Sequence, residues 1–173
     1  MAEPIPTKPN TAPPPTQAGM AVAAGAPREQ LLVSFRVGRD RYAVAASWIR
    51  EVLAPGLRIA VPRAPSAVWG VATYHGRAYA VIDLRTFFNV SGKDAPAVVA
   101  ADQRILALEV QDRDIALLVD MVDAVGPKET IRGTNLESAA AARWADGLCA
   151  VRGNVVGLLA VDRLVADLDR LFE

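Results

Sequence analysis

Phe35-Arg36-Val37-Gly38-Arg39-Asp40-Arg41-Tyr42-Ala43-Val44 reads as two short strands joined across a glycine turn, and the chain repeats it. The echo is Leu108-Glu109-Val110-Gln111-Asp112-Arg113-Asp114-Ile115-Ala116-Leu117. Ile49-Arg50-Glu51-Val52 then falls on Val122-Asp123-Ala124-Val125 without a gap. Gly70-Val71-x4-Gly76, with Val81-Ile82-Asp83 after it, falls on Gly147-Leu148-x4-Gly153, with Ala160-Val161-Asp162 after it. Two copies of roughly seventy residues imply two similar lobes, each too small to hold a large core alone. The lobes are expected at about 31–90 and 104–161.

Working outward, the pattern from Leu31 is β. Strands are expected at Leu31 to Val37, from Tyr42, at Val68 to Tyr74 and at Ala78 to Leu84. In the second copy they fall at Ile105 to Val110, Ile115 to Val119, Leu148 to Val151 and Val155 to Val161. Ala45 to Glu51 reads as a short helical turn, Leu84 to Phe88 as another, and Gly126-Pro127-Lys128 as a break. Asn89 to Ala97 reads as a loop, and alanine-rich Leu136 to Ala142 as helix or loose loop. Leu164, Val165, Leu168, Leu171 and Phe172 recur at helical spacing, so Asp162 to Phe172 is an amphipathic helix. Short strands with closely spaced turn signals indicate small barrels, whose closure removes exposed edges. The fold class is mainly β: two packed barrel lobes and a C-terminal helix that buries its stripe against one of them.

Residues 1–28 differ in kind. Seven of the twelve prolines lie there, and no apolar residue recurs at a helix or strand period. That composition predicts a disordered or polyproline-like tail before a domain at 29–173.

Charge and composition exclude several functions. Lys plus Arg and Asp plus Glu both number 19, so the net charge is zero and the basic excess of a nucleic-acid binder is missing. No apolar run approaches the roughly 20 residues that span a bilayer, and the weak apolar stretch at 19–26 does not make a signal peptide. The single cysteine, Cys149, excludes an internal disulfide and reads as a small buried hydrophobe. One histidine and one cysteine cannot supply a usual zinc site, so neither metal nor other cofactor is expected. No nucleophile elbow or phosphate-binding loop is present.

Asp83 and Asp162 occupy equivalent places in the repeat. A carboxylate dyad would need an Asp-Thr-Gly or Asp-Ser-Gly loop in each lobe. Here each aspartate ends a strand and precedes a helical stretch, so each reads as a helix N-cap. Gly76 and Gly153, likewise, read as structural turn glycines. With no catalytic residues assigned, a binding module is expected rather than a hydrolase using Asp83 and Asp162.

Gly70-Val71-Ala72-Thr73-Tyr74-His75-Gly76-Arg77-Ala78-Tyr79-Ala80-Val81-Ile82-Asp83-Leu84-Arg85 resembles the signature of the CheW family of chemotaxis coupling proteins. That family usually reads G-V-x-N-x-R-G, then an apolar strand ending in P-V-I-D-L-R. Tyr42-x-Val44 with Glu51-Val52, and Leu117-Leu118-Val119-Asp120-x-Val122-x-x-Val125, resemble two further family segments in the right order. The resemblance implies two SH3-like five-stranded barrels and a cytoplasmic adaptor without enzymatic activity, peripheral to membrane-associated receptor arrays. It implies two partners, the regulatory domain of a CheA-like histidine kinase and the cytoplasmic tip of a chemoreceptor, with no nucleic acid and no direct membrane insertion. A scaffold that binds only a kinase or a localisation partner is the other non-enzymatic reading. The implied partner-binding residues are Ile49, Glu51, Gly70, Thr73, Tyr74, His75, Ile105 and Val122. The chain departs from the pattern at Thr73 and His75, where the family has Asn and Arg, at Ala80 for Pro, and at Ala45 for Asp. In the family the acidic position matching Glu51 lies near the Arg, so His75 and Glu51 are expected on one surface.

Overall fold

The computed structural model describes residues 30–90, 100–110, 112–131 and 143–171. The proline-rich tail, most of the loop expected to end at Ala97, and Leu136 to Ala142 lie outside the described residues, as does Phe172.

Eleven strands and two α-helices are described. The strands are β1 (Leu31–Val37), β2 (Asp40–Ala45), β3 (Ile49–Leu53), β4 (Arg58–Ile59), β5 (Val68–Tyr74), β6 (Arg77–Asp83), β7 (Arg104–Leu108), β8 (Ile115–Val119), β9 (Met121–Pro127), β10 (Ala145–Val151) and β11 (Asn154–Leu159). Helix α1 is Leu84–Phe87 and α2 is Val161–Leu171. The strands form two sheets, one of five strands in the order β10-β11-β2-β1-β9 and one of six in the order β3-β7-β8-β6-β5-β4. Each sheet is an SH3-like lobe; the short β4 makes the sixth strand where five were expected.

The sheets do not divide the chain where the repeat divides it. The first hairpin, β1–β2, pairs with β9 and β11 of the second copy. The second hairpin, β7–β8, pairs with β3 and β6 of the first. Contiguous lobes at 31–90 and 104–161 are therefore corrected to interleaved ones. Internal similarity establishes that β2 and β8 are equivalent, and the parallel pairs β11–β2 and β6–β8 are the same interaction made twice. Similarity alone does not say which copy of a partner each hairpin takes.

The exchange sets where the core lies. Strand β8 sends Leu117 and Val119 into the largest apolar cluster, and Ala116 and Leu118 into the interior of the six-stranded lobe. Strand β2 does the same with Tyr42 and Val44 on one face, and Ala43 and Ala45 in the five-stranded lobe. Strands buried on both faces read as near-continuous apolar runs, as Ile115–Val119 does. The largest cluster draws on both sheets and takes in Leu84, Phe88, Trp144, Leu164, Val165 and Leu168. The C-terminal helix thus buries its stripe between the lobes rather than against one of them. Cys149 is buried in the five-stranded lobe.

Several local expectations are revised. Only Ala46–Trp48 forms a helical turn, of the 3-10 type, and Ile49–Leu53 is strand because it pairs with β7. Strand β9 continues through Gly126 to Pro127, which is tolerated because β9 is the last strand in its sheet order. Asp83 caps α1: Oδ1 accepts from Arg85 N at 3.0 Å and Oδ2 from Thr86 Oγ1 at 2.8 Å. Asp162 is not a cap. Helix α2 begins one residue earlier, at Val161, and Asp162 sits in its first turn, where a carboxylate complements the helix dipole.

Candidate partner-binding surface

The β5–β6 hairpin presents the signature residues of the six-stranded lobe. Tyr74 pairs with Arg77, leaving a two-residue turn of His75 (φ 48°) and Gly76 (φ 77°). Positive φ at both central residues is the type I′ pattern, whose twist matches the flanking strands. Histidine is among the side chains that occupy this region more readily than most. The turn projects His75 outward, with 78% of its side chain exposed.

His75 Nδ1 lies 2.9 Å from Glu51 Oε2 on β3, and only 25% of the Glu51 side chain is exposed. An ionised carboxylate is acceptor only, so Nδ1 carries the proton in this contact. Beside it, Tyr74 Oη accepts from Gly56 N at 3.0 Å and donates to Ala54 O at 3.3 Å, tying the segment after β3 to the hairpin. Thr73 is exposed on β5. Nearby charges are paired, Arg50 with Glu109 at 2.7 Å and Arg77 with Asp114 at 2.8 Å. The Asp114 carboxylate, by hydrogen bond and charge, raises the Arg77 guanidinium above its usual value.

The structure therefore brings Glu51, Thr73, Tyr74 and His75 to one part of the six-stranded lobe. It places the other expected residues elsewhere. Ile105 is fully buried inside that lobe with Ala107 and Leu118, so it offers nothing to a partner. Gly70 is buried at a bulge, with its β carbon position 2.7 Å from Ile59 O. Ile49 and Val122, equivalent in the repeat, are half-buried against the cluster between the lobes. The sequence reading missed the exposed apolar stretch beside β4, where Leu57 is 97% and Ile59 71% exposed. The alternation Leu57-x-Ile59-x-Val61 was the available signal.

The five-stranded lobe repeats this geometry with different chemistry. Arg152 (φ 48°) and Gly153 (φ 75°) form the matching turn between Val151 and Asn154. Arg152 Nε donates to Val125 O at 2.9 Å, and Gly153 N donates to Glu129 Oε2 at 3.3 Å. Among the described residues no group of three or more His, Cys, Asp or Glu is placed to hold a metal ion. Nor is any helix among them long and apolar enough to cross a membrane.

The family model of the CheW-like domain matches residues 31–169. The chain belongs to the CheW-like family. Protein FrzA of Myxococcus xanthus is 41% identical over 69 residues, which span 40% of this chain and 43% of FrzA. The probable chemotaxis protein CheW of Rhizobium etli is 25% identical over 139 residues, 79% of this chain and 87% of its own length. Among solved structures, the scaffolding protein TtCheW from Thermoanaerobacter tengcongensis superposes with a TM-score of 0.63 at 20% identity, covering 80% of this chain and 88% of that one. That likeness carries the two-lobe fold. The CheW-like match includes both turns, so His75 and Arg152 stand at equivalent points of one family domain.

Proposed function

We propose that this CheW-like chain is a non-enzymatic coupling adaptor of a chemosensory pathway. Its six-stranded lobe docks the regulatory domain of a CheA-like histidine kinase. The groove between the lobes takes the cytoplasmic tip of a chemoreceptor, placing the chain at the cytoplasmic side of a membrane-associated receptor array. The observation that carries this reading is the pairing of Glu51 with His75 on an exposed hairpin of a CheW-like domain. An exposed hydrogen bond of that kind is of little value to stability and is suited to fixing the register of a partner. The chemistry is positional, since receptor state reaches the kinase through the relative stability of docked arrangements.

The test is calorimetric titration of the purified chain with a kinase regulatory domain and, separately, with a receptor-tip fragment. Saturable binding of both is expected, and Glu51→Arg weakens binding of the regulatory domain about tenfold while leaving the thermal midpoint in place. A folded chain that binds neither partner would overturn the reading.

A further inference from the structure

We propose that the His75–Glu51 contact makes docking on the six-stranded lobe proton-sensitive, so that the kinase regulatory domain binds more tightly as pH falls from about 7.5 to about 6. The proposal rests on the coupling function above and concerns the regulation of the same surface.

His75 is the only histidine in the sequence, and histidine is the side chain whose charge ordinarily changes between pH 5 and 8. In the contact with Glu51, Nδ1 already donates. Protonation adds Nε2–H and a full positive charge without disturbing that bond. The charged groups on the neighbouring elements are engaged elsewhere, Arg50 of β3 with Glu109 and Arg77 of the same hairpin with Asp114. Tyr74 spends its hydroxyl on Gly56 and Ala54. Among the described ion pairs, His75 is the one cationic partner of Glu51.

The sign follows from desolvation. Glu51 is three-quarters covered before any partner arrives, and the same lobe exposes Val52, Leu57 and Ile59. A partner that covers these apolar side chains also strips water from the carboxylate. An uncompensated buried charge is costly, whereas one paired with an imidazolium is partly offset. Acidification therefore favours docking. The molecule contains its own control: the equivalent turn position in the five-stranded lobe is Arg152, and arginine, unlike histidine, is not a physiological-pH switch. Proton sensitivity is confined to one lobe.

The experiment measures the Kd of a CheA-like regulatory domain at pH 7.5 and 6.0 for the full chain and for His75→Arg and His75→Gln. The full chain is expected to bind roughly fivefold tighter at pH 6.0, the size of an exposed ion pair of about 1 kcal/mol. His75→Arg and His75→Gln are each expected to bind with no pH dependence, the arginine variant more tightly than the glutamine one. Equal pH dependence in all three overturns the proposal and leaves the coupling function standing. Absence of binding by all three, with thermal transitions intact, overturns both. A readout without a partner separates the two further. The ring proton signal of the single histidine moves on Glu51→Gln in the free chain; an unmoved signal removes the contact, whatever the partner does.

Discussion

Gly70 and Gly147 stand at matching bulges of β5 and β10, with φ of 149° and 132°, yet their surroundings differ. A β carbon on Gly70 would meet Ile59 O at 2.7 Å, a backbone atom of β4 that moves only if the strand moves. A β carbon on Gly147 would meet nothing within 4 Å. Both substitutions force an unfavourable φ, which costs about 1–2 kcal/mol, and Gly70→Ala adds the collision. Gly147→Ala is expected to lower stability by about 1–2 kcal/mol in urea unfolding, and Gly70→Ala by about 3 or more with displacement of β4. Equal costs would show that β4 yields freely. The repeat made the two glycines equivalent, because a glycine stands six residues before the turn glycine in each copy. It did not distinguish them, because the collision partner Ile59 belongs to a two-residue strand. Ile105 stands apart from this: the family resemblance implied it as a partner residue, whereas β7 is covered on both faces and Ile105 is fully buried.

At the scale of elements, the C-terminal helix depends on one polar clasp as well as on its apolar stripe. Trp144 Nε1 donates to Asp167 Oδ2 at 2.7 Å, and Arg143 and Arg170 pair with the same carboxylate at 3.0 and 2.9 Å. The indole hydrogen bond, followed by the two arginines, holds the Asp167 carboxyl below the usual carboxylate range. The folded value lies below the unfolded one. The resulting stability is therefore present above the unfolded carboxylate value of roughly 3.9 and is lost as pH falls through the lower folded value. Asp120 has the opposite sign: burial pushes its carboxyl up, against Gly38 N–H and Arg85, so protonation there favours the folded state. Asp167→Asn is expected to lower the thermal midpoint by about 2–4 °C at pH 7, with the difference from the full chain shrinking below about pH 4. A difference that stays constant into acid would assign the loss to packing. The helix was legible from its stripe because Leu164, Val165 and Leu168 recur at helical spacing. The clasp was not, because Trp144 borders a low-complexity segment and lies far from Asp167 along the chain. Strands β3 and β9 were illegible for another reason. In β3 burial alternates but residue type does not, since Glu51 takes a half-covered position and Val52 an exposed one; β9 opens on four half-buried residues; pairing with β7 and β1 decides them.

For the whole molecule, interleaving means that neither half of the sequence contains all the partners of its own strands. Residues 1–95 hold β1 and β2 but lack β9 and β11, and hold β3 and β6 but lack β7 and β8. Residues 96–173 have the complementary deficit. Each half would expose unpaired edges and one side of the shared apolar cluster, so the burial that offsets its conformational entropy is lost with the missing strands. The sequence repeat suggests the opposite outcome, two halves that each fold into a lobe, because it reports which strands are alike and not which strands touch. Expressing 1–95 and 96–173 separately is therefore expected to give chains without a cooperative thermal transition. Mixing them is expected to restore one, with far-UV circular dichroism matching the intact protein and a midpoint that rises with concentration, because assembly is then bimolecular. A half that melts cooperatively alone would mean that its strands can pair within one copy, and the exchange would then be one of two accessible arrangements. The same topology joins the proposed docking surface to the rest of the chain: β3 and the β5–β6 hairpin share a sheet with β7 and β8, and the shared core joins these to the hairpin that completes the other lobe.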